Sequence, residues 1–148
     1  MSAKIETQKH ILTVGAYIHK FVKALLDRAD KHDASKLEEP EAEIFEVFTP
    51  RLKGCTYGSP EYKAMMVEMK VAIDHHQANN RHHPEFHKDG IKGMSLIDLV
   101  EMLMDWKAAT LRHADGDIRK SIEINYKRFG YSEEMKAILL NTVEEMGL

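Results

Sequence analysis

The chain has 148 residues, the size of one domain, with 43% hydrophobic and 30% charged residues and a formal net charge of −3. That balance excludes a non-specific nucleic-acid binder, which needs a basic excess, but leaves room for a small nucleotide, which needs only a few local cations. A single cysteine, Cys55, excludes an intramolecular disulfide; no apolar run nears the roughly 18 residues of a membrane span and the N-terminus lacks a signal-peptide core, so a reducing cytoplasm is expected.

Ile11, Val14, Ile18, Phe21, Val22, Leu25 and Leu26 recur near a period of 3.6, which predicts a helix over residues 4–30. A second helix is expected over 39–53, with Ile44, Phe45, Val47 and Phe48 inward, and Gly54, Gly58 and Pro60 mark the loop after it. Ser59-Pro60-Glu61 places a cap, a proline in the first helical position and an acid in the first turn. The third helix so begun runs to about Asn80. Pro84, Gly90 and Gly93 make 81–94 a loop.

Ser95-Leu96-Ile97-Asp98 is a capping start for a helix to about Arg112. Gly116-Asp117 starts another that ends near Gly130, and Ser132-Glu133-Glu134 starts the last. No segment shows sustained β alternation, and there is no repeat or linker. The expected fold is all-α: a single domain over 1–148, a bundle of about six helices. Met65, Met66, Met69, Met102 and Met104 fall in helical segments and read as core filling. The amphipathic last helix, with Met135, Ile138, Leu139, Val143 and Met146, suits a homo-oligomer contact.

Histidine is the compositional outlier. Nine are present, and His75, His76, His82, His83 and His87 crowd into thirteen residues. His32-Asp33 is compact metal chemistry, because an imidazole and a carboxylate can reach one ion from neighbouring positions. Ser35 and Lys36 follow one turn later, and lysine is a point-charge partner for phosphate oxygens. Asn79, Asn80 and Pro84 turn the chain after His75-His76, so His82 or His83 can fold back toward His75. Spacing does not decide which member of each pair is a ligand; the other is open to an orienting role.

Asp98, Glu101 and Asp105 share one helix face. Solvent exposure is the expectation for the first two. Asp105, among Leu103, Met104, Trp106, Ala108 and Ala109, wants a cation. His10 is a further candidate ligand, but one straight helix would put it about 33 Å from His32, so joint ligation requires a break. His-Glu-x-x-His, Cys-x-x-Cys, Gly-x-Gly-x-x-Gly and Glu-x-x-His motifs are absent, the last arguing against a ferritin-like di-iron bundle.

With these residues in view, the chain resembles the HD superfamily of metal-dependent phosphohydrolases. The family order of a His, a His-Asp, one or two later His and a final Asp maps onto His10, His32-Asp33, the pairs at 75–76 and 82–83, and Asp105. His-Asp-Ala-Ser-Lys at 32–36, His-His-Pro-Glu at 82–85 and Asp105-Trp106-Lys107-Ala108-Ala109-Thr110 are similar to motifs of the HD-GYP branch. The Gly-Tyr-Pro element of that branch is missing, which argues against cyclic dinucleotide hydrolysis. Small uncharacterised HD-like proteins of bacteria and phages share HD-x-SK, HHPE and EM-x-x-DWKA. The likeness covers about residues 10–112, and residues 116–146 are left as packing helices.

The resemblance implies a metal-dependent phosphohydrolase acting on a small phosphorylated molecule, a nucleotide first of all. His10, His32, Asp33, His75, His82, His83 and Asp105 are the candidate ligands for one or two ions of Mn, Fe, Co, Ni or Zn. Asp33 and Lys36 are the candidate catalytic groups, with Glu85 or Glu101 moving protons. Lys36, Arg81 and Arg112 are the candidate phosphate binders. The rival readings are a di-iron HD-type oxygenase and a non-catalytic metal- or nucleotide-binding protein.

Overall fold

The computed structural model describes residues 2–56, 59–112 and 116–148. Gly58, expected in the loop after the second helix, lies outside the described residues. The architecture is all-helical: seven α-helices and three short 3-10 turns, with no strand among the described residues. None of the described helices is long and apolar enough to cross a membrane. The chain divides into two units, residues 1–32 and 33–148.

The first unit is one helix, α1 (Ala3–Lys31). Taken by itself it buries none of its side chains. It runs unbroken from His10 to its end at His32, whose ψ of 127° leaves helical geometry. The break that would bring His10 to His32 is therefore absent, and the helix keeps these two histidines apart along its length.

The second unit opens on Asp33, whose φ of 56° lies in the left-handed region. Aspartate tolerates that region better than most residues, because its short polar side chain can bond locally. The chain then makes a 3-10 turn (Ala34–Leu37), in which the Lys36 N–H donates to the Asp33 carbonyl at 2.9 Å. α2 (Glu41–Leu52) follows a cis Glu39–Pro40 peptide. α3 (Pro60–Glu68) starts as its signature requires, with Ser59 Oγ accepting from the Tyr62 N–H at 3.1 Å.

The expected long third helix is two helices. Met69, with ψ of 1°, ends α3 and opens α4 (Lys70–Asn79). No glycine or proline marks this corner, where the Met69 side chain is itself buried. This break raises the count from about six helices to seven. The loop before the next helix carries the 3-10 turns Pro84–Phe86 and Gly90–Gly93.

α5 (Leu96–Thr110) starts with a full capping box. The Asp98 N–H donates to Ser95 Oγ at 3.1 Å, and the Ser95 N–H donates to Asp98 Oδ2 at 2.9 Å. α6 (Ile118–Phe129) is capped by Asp117 and closed by Gly130 at φ +62°, a left-handed residue that costs glycine nothing. α7 (Glu133–Met146) is capped by Ser132.

α5, α6 and α7 build the apolar core of the second unit. Leu103, Ile118, Ile122, Leu139 and Val143 meet there with Tyr131, whose hydroxyl donates to the Ile122 carbonyl at 2.7 Å. Trp106 stacks on Phe129 with the rings 2° from parallel. Met135, Leu139 and Val143 of the apolar stripe of α7 are thus used within the chain, while Ile138 and Met146 stay exposed. The residues after 116 therefore hold α5 in place. Ile122→Ala should cost about 2–5 kcal/mol in urea denaturation. Ile138→Ala should stay within about 0.5 kcal/mol. Equal losses would contradict this core.

Candidate metal centre

The site begins with periodicity on α4. Met69, Ala72, His76 and Asn80 follow one another at steps of three and four, and all four are buried. His76 is therefore carried inward on the same stripe as the core residues, and His75, one step round the helix, is not. Of this pair, for which His75 was the candidate ligand, His76 is the member that the structure brings to Asp33. His75 Nδ1 lies 2.7 Å from Glu41 Oε1, and among the described residues His75 belongs to no cluster able to hold an ion.

Asp33, His76, His82 and His83 do form such a cluster, with one ligand atom from each lying within 4.8 Å of the others. Asp33 Oδ1 faces His76 Nε2 at 3.2 Å and His82 Nε2 at 3.5 Å. Asp33 Oδ2 faces the Lys36 ammonium at 2.5 Å. Lys36 also lies 5.6 Å from the centre of the Phe45 ring, which makes a T-shaped contact with His76. The three imidazoles pack together, with ring centres 4.2 Å apart for His82–His83 and 4.7 Å for His76–His83.

Two observations fit this donor set to a metal ion. Nitrogen and oxygen ligands about 2.1 Å from one ion stand roughly 3 to 4 Å from each other, close to the spacings around Asp33 Oδ1. In addition, His83 Nε2 is buried with no hydrogen-bond partner. Burial, and next the neighbouring His82 and His76, push His83 down to about 3, against the pull of Asp105 and Asp33. Its ring is neutral at pH 7 and keeps a lone pair, the form a metal takes.

The acidic face of α5 pairs with the run 81–83. Arg81 donates from Nε and Nη2 to the two oxygens of Asp98, at 3.2 and 3.1 Å. His82 Nδ1 lies 3.2 Å from Glu101 Oε1. Asp105 acts on His83 through its charge and offers a ligand atom within 4.8 Å of one from His82. The expectation of solvent exposure for Asp98 and Glu101 is thus overturned: Asp98 is fully buried and the Glu101 side chain is 10% exposed. Asp98 faces Arg81, seventeen residues upstream, and Glu101 faces His82, nineteen residues upstream.

Other candidates fall elsewhere. Arg81, read as a phosphate binder, is committed to Asp98 and lies against the Phe86 ring. Glu85, read as a proton carrier, accepts from Arg128 Nη2 at 2.9 Å and is no member of the cluster. Glu101, the other proton carrier, holds His82. Arg112 is exposed just past the end of α5. His32 is the capping residue that closes α1, one peptide bond from Asp33. Glu41 and Asn80 were not among the candidates; the stripe on α4 could have revealed Asn80, but nothing separates Glu41 from Glu38, Glu39 and Glu43 in the sequence.

Residues 2–145 match DUF5662, a family of unknown function, and the chain belongs to that family. No curated protein and no solved structure matches the chain.

The neutral state of His83 has a pH signature. In the unfolded chain the ring charges near 6.5, and in the fold only near 3. Unfolding takes up a proton between those values. The stability contributed is complete above about pH 6.5 and is lost as pH falls toward 3. In metal-free protein the His83 ring carbons should titrate near 3, and His83→Asn should flatten the loss of stability over this window. A midpoint near 6.5 would contradict the buried neutral ring.

Proposed function

We propose that this protein is a metal-dependent phosphohydrolase of the HD type, acting on a small phosphorylated substrate. The single observation that carries the reading is the division of Asp33. One oxygen faces two histidine nitrogens and the other faces the Lys36 ammonium. Such an arrangement would put an ion site and a cation for phosphate on opposite sides of one carboxylate.

Asp33, His76, His82 and His83 would hold the ion, with Asp105 as a further ligand beside His82. His32 stays a candidate on sequence grounds, as the neighbour of Asp33. A donor set of imidazole and carboxylate without sulfur suits Mn, Fe, Co, Ni or Zn. A bound ion of this kind polarises a phosphoryl oxygen and acidifies a water. Lys36 would neutralise charge that develops on the phosphate. Glu101 would orient His82 rather than carry protons. The order of motifs at 32–36, 82–85 and 105–110 supports the HD assignment, and nucleoside phosphates are the first substrates to try. A lone Cys55 suits a reducing cytoplasm.

Phosphate release from nucleoside mono- and triphosphates, measured with Mn, Co, Ni or Mg, tests the reading. Asp33→Ala should abolish release and bound metal while helical content survives. Lys36→Ala should keep the metal and slow release by about 10²-fold. Asp33→Ala protein with wild-type metal and activity would sink the site. Metal-loaded wild type that releases phosphate from none of these substrates would overturn the hydrolase and leave a metal-binding protein. Dioxygen consumption by the iron-loaded chain would favour an oxygenase instead.

A further inference from the structure

We infer that Glu41 is the positioning carboxylate of the centre: it fixes His76 as the Nδ1–H tautomer and so turns the Nε2 lone pair toward Asp33. The inference deepens the metal reading and rests on it for its consequence, while the tautomer itself can be read without metal.

Glu41 is fully buried, at the first residue of α2. Its Oε2 lies 2.8 Å from His76 Nδ1, and its Oε1 lies 2.7 Å from His75 Nδ1. A carboxylate is an acceptor, so each imidazole must donate. Asn80 Nδ2 also comes within 3.1 Å of His76 Nδ1, but its two hydrogens go to the His76 carbonyl and to Ser35 Oγ, both at 2.8 Å. The Nδ1 proton therefore belongs to the bond with Glu41. The opposite nitrogen, Nε2, is left facing Asp33 Oδ1 at 3.2 Å.

An imidazole lone pair and a carboxylate oxygen repel at that distance unless a cation lies between them. Without Glu41 the ring could take the Nε2–H form and donate to Asp33. That bond would close the site with a proton where an ion is meant to sit. Between the two neutral forms of the ring, Glu41 favours the Nδ1–H tautomer by accepting the proton at the far nitrogen. The same logic recurs at His82, where Glu101 stands at Nδ1 and Asp33 at Nε2. The position of Glu41 at the N-terminus of α2 favours a carboxylate there. His75 occupies its second oxygen. The adjacent histidines thus divide their work: His76 faces the ion and His75 completes the partners of the carboxylate that orients it.

Ring ¹⁵N correlation spectra of the metal-free full chain at pH 8, with the His76 signal identified by His76→Asn, test the tautomer. Wild type should show a protonated Nδ1 and an unprotonated Nε2, and Glu41→Gln should disturb that pattern. In Co²⁺ titrations followed by visible absorption, Glu41→Gln should weaken binding by about 10–100-fold. Asp74→Ala, on the exposed face of α4, should bind close to wild type. An Nε2–H tautomer in wild type overturns the inference, even if Glu41→Gln fails to fold. Unchanged Co²⁺ affinity in a folded Glu41→Gln also overturns it. Wild type with the expected tautomer but no Co²⁺ uptake supports the hold of Glu41 on His76 and overturns the metal reading.

Discussion

Carboxylates turned into the interior of a helical unit constrain everything around them. An ionised carboxylate taken from water without partners is costly enough that folds either pair it or neutralise it. Glu41 and Asp98 are fully buried, the Glu101 side chain is 10% exposed and Asp33 is partly buried. Three are met by donors, Glu41 by His75 and His76, Asp98 by Arg81 and the Ser95 N–H, and Asp33 by Lys36, while Glu101 lies 3.2 Å from His82 Nδ1. These pairings tie α2 to α4 and the loop after α4 to α5. Replacing one of these acids with an apolar residue would leave its donors without that partner.

The same constraint builds the chemistry. His82 is 1% exposed and stands between Glu101 and Asp33, while His76 stands between Glu41 and Asp33. Both rings have a carboxylate behind them and Asp33 in front. That arrangement fixes the direction of each ring, as an outer carboxylate does for a metal-binding imidazole. His83, held neutral by burial, adds a third ring without adding charge. α5 is the rigid support of this half of the site, and it is rigid because Leu103 and Trp106 are packed against α6, α7 and their connection.

Much of the fold was readable in the residues because capping chemistry is local. Ser59, Ser95, Asp117 and Ser132 all cap the helices their neighbours announced. The corner at Met69 was not, since a buried side chain imposes it and no turn residue signals it. His76 could have been preferred over His75 from the stripe shared with Met69, Ala72 and Asn80, a pattern that outweighs the fold-back argument. Asp98 and Glu101 were misplaced because an acidic stripe looks the same whether water or a basic run covers it. The cover here, Arg81 and His82, arrives by tertiary packing. Glu41 was beyond reach for the same reason: four glutamates crowd residues 38–43, and only the approach of α4 selects one.

The central claim is that Asp33, His76, His82 and His83 surround one divalent ion. Anomalous X-ray diffraction from crystals of the full chain grown with Co²⁺ tests this most directly. The account predicts a single strong peak about 2.1 Å from Asp33 Oδ1 and from the Nε2 atoms of His76 and His82. No peak there, with His76 Nε2 donating a hydrogen bond to Asp33 in its place, would contradict it.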